Sequence, residues 1–170
     1  MDSLFLLQFV CFIFMLINAI FVALSHLYVR WVNKQYERSR WMVVFAMIGL
    51  AIQYVMQMAF GFRAADDILG AVVNILIYTP CFSLIAMAIY NIETTRSNRR
   101  KMNLVCGGIN AATLLVFLVG FSLHHSPYIK EWLYIMLVLF CMSVAYSIFM
   151  IVREMIRRKK MLETMAATDM

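Results

Sequence analysis

The chain has 170 residues, of which 64% are hydrophobic and only 14% are charged, and its formal net charge is +6. A soluble domain carries roughly 25% charged residues, so the composition argues against a soluble helical bundle, whose helices would need polar faces. The positive charge is divided among three segments beside apolar stretches, a pattern that argues against direct nucleic-acid binding.

Five stretches are long and apolar enough to cross a membrane, at residues 4–29, 41–62, 68–92, 102–123 and 132–152. A helix needs about 20 apolar residues to cross a hydrocarbon core of roughly 30 Å. The sequence therefore predicts an all-α fold, a polytopic membrane bundle of five transmembrane helices within residues 1–152. The lipid bilayer is then its first partner.

The first apolar stretch has one face that we interpret as the side turned to the bundle. Residues at steps of three or four share a helix face, and Cys11, Met15, Asn18, Val22 and Ser25 follow these steps. On this interpretation the Asn18 side chain forms a hydrogen bond to a neighbouring helix.

The second and third stretches carry the polar residues that we select as ligand-binding or switch candidates. Gln53 and Gln57 are four residues apart in one helix, and Asn74, Tyr78 and Pro80 follow in the next. Such amides either bind a ligand or form interhelical hydrogen bonds, which contribute about 0.6 to 2 kcal/mol each. Pro80 removes a backbone donor and predicts a kink.

The fourth and fifth stretches differ in how they end. Gly107 and Gly108 are small, so we expect this part of the fourth helix to pack tightly against a neighbour. No Gly or Pro stops the fifth helix, so it should continue as a basic cytoplasmic exit helix over residues 153–170. We expect the native chain to lead from there into a further domain.

Residues that would support catalysis or cofactor binding are missing from the pattern. No Asp or Glu lies deep in a predicted span, and no catalytic Ser-His, Cys-His or HExxH arrangement occurs. His124 and His125 supply only two ligands, whereas zinc sites usually use three or four. The sequence predicts no enzyme activity, no metal and no cofactor.

Thirteen of the fifteen basic residues lie on one side of the predicted bundle. Under the positive-inside rule that side is cytoplasmic, which places the N-terminus outside and the C-terminus in the cytoplasm. Arg63 and Lys130 are the two exceptions. The residues that we interpret as topology anchors are Arg30, Lys34, Arg38, Arg40, Arg96, Arg99, Arg100, Lys101, Arg157, Arg158, Lys159 and Lys160.

Two parts of the sequence, together with the basic exit helix, resemble a known class of membrane region. The first is the basic and aromatic run at residues 30–41 leading to residues 60–63, and the second is residues 74–81 leading to residues 90–93. They are similar to the multi-span region of bacterial membrane-anchored signalling proteins, which precedes a histidine-kinase core or an AraC-type helix-turn-helix regulator. The resemblance implies a bacterial inner-membrane location and a cytoplasmic output domain or partner protein.

We therefore expect an integral membrane sensor or input module that relays a signal through the bundle and the last helix. A homodimer is compatible with this role. One alternative is a small-molecule transporter or channel-like oligomer, in which the same polar groups line a path. Another is a structural membrane subunit that binds a partner protein through its helices.

Overall fold

The computed structural model describes residues 3–25, 34–61, 67–91, 96–125 and 130–168. These residues form five α-helices and no strand. Each helix is long and apolar enough to cross a membrane, so the predicted all-helical class and number of helices are confirmed. The helices are α1 (Ser3–Leu24), α2 (Lys34–Phe60), α3 (Asp67–Asn91), α4 (Arg96–His124) and α5 (Lys130–Thr168).

Two helices begin before the apolar stretches that predicted them. Helix α2 begins at Lys34, seven residues ahead of the expected start, and α4 begins at Arg96, six residues ahead. The added turns contain Lys, Arg, Gln and Glu, which are good helix formers. Hydropathy identifies only the apolar part of each helix, and the helix itself begins several residues before that part.

Helix α3 is the centre of the bundle, because it packs against α2, α4 and α5. Helix α1 packs mainly against α2. Successive helices are antiparallel: Gln8 of α1 meets Gln57 of α2, and Asn91 of α3 meets Asn103 of α4. Helices α3 and α5 run in the same direction. The end of α2 and the start of α3 therefore lie at the same end of the bundle as the end of α4 and the start of α5.

The core consists of three apolar clusters at different heights along α3. Near the start of α3, Val72 and Ile75 pack on Met136 of α5. Cys81 packs on Ala46 and Leu50 of α2. Near its end, a third cluster joins buried residues of α3 and α4, namely Ala86, Tyr90, Met102 and Cys106. The core is thus built around one helix along its whole length.

Close packing occurs at Gly49, whereas Gly107 and Gly108 have open space around them. A Cβ atom added at Gly49 would lie 2.7 Å from the Cys81 Sγ atom, closer than real Cβ contacts come. A Cβ added at either of the other two glycines would meet nothing within 4 Å. The prediction of tight packing at Gly107 and Gly108 was wrong, because these residues face outward from the bundle.

Left-handed residues end α2 and α4 at the same end of the bundle. Gly61 has a φ of 58° and its N–H donates to the Gln57 carbonyl at 3.0 Å. His125 has a φ of 47° and its N–H donates to the Phe121 carbonyl at 2.9 Å. A residue in this conformation satisfies carbonyl groups that a helix end leaves unpaired. These caps fix where α2 and α4 end.

Helix α5 is unbroken over 39 residues. At 1.5 Å per residue it is about 58 Å long, roughly twice the thickness of a bilayer hydrocarbon core. Its last part therefore extends beyond the other helices as a charged rod.

Candidate functional site: an amide network between three helices

Four side-chain amides meet between α1, α2 and α3. The Gln8 Nε2 atom donates to Gln57 Oε1 at 3.3 Å, and Gln57 Nε2 donates to Asn74 Oδ1 at 2.6 Å. Gln53 Nε2 donates to the same Asn74 oxygen. Gln8, Gln53 and Gln57 are all buried, and Gln53 is fully so. The structure thus brings together Gln53, Gln57 and Asn74, three of the five candidates selected from sequence.

The network has one acceptor left over. Gln53 Oε1 is buried and has no hydrogen-bond partner among the described residues. A buried polar atom without a partner costs about 1 to 3 kcal/mol. This oxygen can therefore accept from a hydroxyl, an amine or a water molecule that enters the network.

The network lies near one end of the bundle instead of at its middle. Asn74 is seven residues from the start of α3, roughly 10 Å along the axis, and Gln57 is three residues from the end of α2. The α2–α3 connection at residues 62–66 lies outside the described residues. The site is thus close to the end that sequence predicts to be extracytoplasmic.

Sequence reasoning missed Gln8 as a member of this site. Gln8 is three residues before Cys11 and so extends the stripe of small and polar residues on α1. This spacing was the available signal. Asn18, the amide that was predicted to bond between helices, instead donates to the Phe14 carbonyl of its own helix at 2.7 Å. A short side chain can satisfy itself on its own backbone, whereas Gln8 reaches across to α2.

Tyr78 lies one turn beyond Asn74 and is half-buried. Its ring packs edge-on against Phe82, with 5.9 Å between centroids.

Pro80 lies in an unbroken α3 and borders a cavity between α3 and α4. The cavity has a volume of about 260 Å³, and Leu76, Asn110 and Thr113 are among its lining residues. The Thr79 hydroxyl, next to Pro80, donates to the Ile75 carbonyl at 2.6 Å. The kink predicted at Pro80 stays a prediction.

On the other side of α3, a second polar contact connects α3, α4 and α5. The Ser83 hydroxyl lies 3.3 Å from the Ser143 hydroxyl of α5 and donates to Asn110 Oδ1 of α4 at 3.4 Å. Ser83 and Ser143 are buried. Through α3, the amide network on one side is therefore physically linked to α5 on the other.

Arg40 is buried, unlike the other described anchors. It was predicted to be a topology anchor, and only 5% of its surface is exposed. Its Nη1 atom donates to the Ala23 carbonyl in the last turn of α1 at 3.2 Å, and its guanidinium lies 5.5 Å from the Trp41 ring centroid. A cation beside the C-terminal carbonyls of a helix is favourable because of the helix dipole. Arg40 thus ties the end of α1 to α2.

The remaining anchors in the described part of the chain lie at the same end of the bundle as Arg40. Arg38, Arg99 and Arg100 line a cavity of about 390 Å³. Arg30 lies outside the described residues, as does the side chain of Arg96. The other anchors in the described part, Lys34, Lys101, Arg157, Arg158, Lys159 and Lys160, are partly or fully exposed.

Glu154 is the one buried carboxylate in the described part of α5. Arg157 binds it through two nitrogens, Nη2 at 2.5 Å and Nε at 3.1 Å, while Arg158 Nε lies 3.7 Å away. Spacing alone favours Arg158, which is four residues on, yet Arg157 makes the closer contact because its fork fits the carboxylate.

The described residues contain no group of three or more His, Cys, Asp or Glu that could hold a metal ion. His124 accepts a hydrogen bond from Trp132 Nε1 at 3.4 Å, which links the ends of α4 and α5. Comparison with protein-family models, with curated proteins and with solved structures gives no match.

Proposed function

We propose that this chain is an integral membrane sensor that responds to a small ligand at its outer end and changes the position of α5 at its cytoplasmic end. The apolar outer surface supports membrane insertion, since side chains such as Phe21, Leu104 and Leu123 are about two-thirds exposed. An exposed apolar surface of this extent needs lipid or protein around it. The positive-inside rule gives the proposed orientation, with the N-terminus outside and the C-terminus in the cytoplasm. The sequence resemblance supports the proposed location in a bacterial inner membrane.

The observation that carries the proposal is the unpaired Gln53 Oε1 in a buried amide network near the outer end. A ligand with a hydroxyl or amine group gains a hydrogen bond to this oxygen that the protein groups do not supply. It also competes for the Asn74 oxygen, which two glutamines share. Because the network joins α1, α2 and α3, a change in these bonds alters how α3 is held.

Helix α3 provides a physical route from this site to α5. Asn74 and Ser83 are nine residues apart on α3, roughly 13 Å along the axis, and Ser83 contacts Ser143 of α5. Helix α5 then continues without a break to Thr168. A shift of α3 therefore reaches the charged end of α5 through packed side chains and one continuous helix.

Signalling by this route requires two positions of α3 that the ligand binds differently. To invert a 1:99 population, a ligand must bind the favoured state about 10⁴-fold more tightly. Weakening the network without ligand should mimic part of this effect, because Asn74 is the acceptor that holds the two glutamines of α2.

Double electron–electron resonance tests this proposal. Spin labels would be attached at Ile89→Cys and Met161→Cys, both exposed positions. The labelled protein is the full chain with its four native cysteines replaced by alanine. We expect Asn74→Ala to add a second label-to-label distance that the parent protein lacks. Asn18→Ala is the matched control, because the Asn18 hydrogen bond stays within α1.

Identical distance distributions for the parent and for Asn74→Ala would contradict the relay. Solute flux through vesicles that contain the unlabelled chain would instead favour the transporter alternative.

A further inference from the structure

A wide cavity lies at the basic end of the bundle, where α3 ends, α4 begins and α5 leaves the other helices. Its volume is about 660 Å³, within the usual range for sites that bind small molecules. Tyr90, Lys101, Arg153 and Lys160 are among the residues that line it. It is separate from the amide network, which lies at the opposite end of α3.

The lining of this cavity is strongly positive. It contains four cations, Lys101, Arg153, Arg157 and Lys160, and one carboxylate, Glu154, which leaves a formal charge of +3. Glu154 engages Arg157, whereas Lys101, Arg153 and Lys160 have no ion-pair partner in the described part of the chain. Three cations are therefore available to an anion.

The charges are arranged in order along α5, with apolar groups on one side of them. Tyr146, Phe149 and Met150 line the cavity toward the middle of the bundle, and Arg153, Arg157 and Lys160 follow toward the free end. Positions 146, 149, 150, 153, 157 and 160 recur at helical spacing and share one face. The cavity thus has an apolar wall at membrane depth and a cationic wall where α5 leaves the bundle.

We propose that this cavity binds the phosphate headgroup of an anionic phospholipid from the cytoplasmic leaflet. Lys101, Arg153 and Lys160 contact the phosphate, while Asn98 offers a hydrogen bond to a headgroup oxygen. The acyl chains run along Phe149 and Met150. Basic cavities between transmembrane helices on the cytoplasmic side are suited to such lipids. The apolar wall can contact acyl chains, which a soluble phosphate compound lacks. The inference rests on the membrane insertion proposed above and does not depend on the signalling role.

Native mass spectrometry of the full chain in detergent tests this site. The protein would be mixed with equal amounts of dioleoylphosphatidylglycerol and dioleoylphosphatidylcholine. We expect preferential retention of phosphatidylglycerol, weakened about fivefold by Lys160→Gln or by Arg153→Gln, since each cation near a membrane surface contributes roughly that factor. Lys159→Gln is the matched control, because Lys159 is 81% exposed, pairs with Glu163 and does not line the cavity.

Equal retention of the two lipids would overturn the proposal, and so would an equal loss in Lys159→Gln and Lys160→Gln. A further arm adds glycerol phosphate at millimolar concentration. Displacement of phosphatidylglycerol by this soluble compound would assign the site to a free phosphate ester and overturn the lipid as its ligand. Because lipid binding is measured directly, a negative result here leaves the proposed sensor function to its own test.

Discussion

Asn74 holds the amide network together because its one oxygen accepts from two glutamines. Gln53 and Gln57 are one turn apart on α2, so both nitrogens reach the same point on α3. Spacing along α2 and the position of Asn74 could be read from the sequence. The contribution of Gln8 could not, because the pairing of α1 with α2 fixes which of its polar residues meets the glutamines.

We expect Asn74→Leu to lower the free energy of unfolding by about 1 to 3 kcal/mol, because it leaves the glutamine amides without an acceptor. Unfolding would be measured by circular dichroism during titration with sodium dodecyl sulfate. Replacement of all four amides, with methionine at the glutamines and leucine at Asn74, should recover most of the loss, since removing both partners is nearly neutral. If the variant with all four replacements were less stable than Asn74→Leu, this account would be contradicted.

Gly49 provides a second prediction at the scale of single residues. We expect Gly49→Ala to lower the free energy of unfolding by about 1 to 3 kcal/mol, because the new Cβ overlaps the Cys81 Sγ atom. Adding Cys81→Ala should remove most of that loss in the same titration. Gly107→Ala is the matched control and should be neutral or slightly stabilising, since its Cβ enters open space and alanine favours helix. Full stability of Gly49→Ala would contradict the close contact.

Helix α3 contacts more of its neighbours than the other elements do, and it also carries Pro80. The number of helices and the approximate position of each could be predicted, because each apolar stretch is about as long as a bilayer is thick. The early starts of α2 and α4 could not, since their charged first turns resemble a loop in hydropathy. The outward position of Gly107 and Gly108 was missed for a related reason: small residues permit close packing but do not specify which face is packed.

Pro80 lies between Asn74 and Ser83, so it is placed to let the two halves of α3 move separately. We expect Pro80→Ala to restore a backbone donor and stiffen the helix. In the spin-labelled protein, Pro80→Ala combined with Asn74→Ala should then lose the second distance. A second distance that persists unchanged would show that bending at Pro80 is not needed.

The two ends of the molecule carry different polar groups. One end carries the amide network and the caps at Gly61 and His125, and the other carries the buried Arg40 and the basic cavity. The distribution of Lys and Arg in the sequence predicted this asymmetry. This distribution did not predict that Arg40 is buried and bonded to α1, because the burial of Arg40 depends on where α1 ends relative to α2.

Cysteine accessibility tests the proposed orientation. In intact spheroplasts that express the cysteine-free chain, we expect Glu131→Cys to react with a membrane-impermeant maleimide before lysis. Glu163→Cys should react only after lysis, since the positive-inside rule places the end of α5 in the cytoplasm. Both positions are exposed in the structure, so burial does not limit either reaction. The reverse pattern of labelling would contradict the orientation.

The antiparallel order of neighbours has a consequence for biosynthesis. The Ala23 carbonyl obtains its partner only 17 residues later, at Arg40, and Gln8 obtains Gln57 after 49 residues. At 5 to 20 residues per second, these delays are roughly 1 to 3 s and 2 to 10 s. Each later helix then meets a partner that has already been made. Shortening the chain from its C-terminal side to Asn91 should therefore leave α1 to α3 with their own contacts intact, whereas removal of α3 separates the first helix pair from the last.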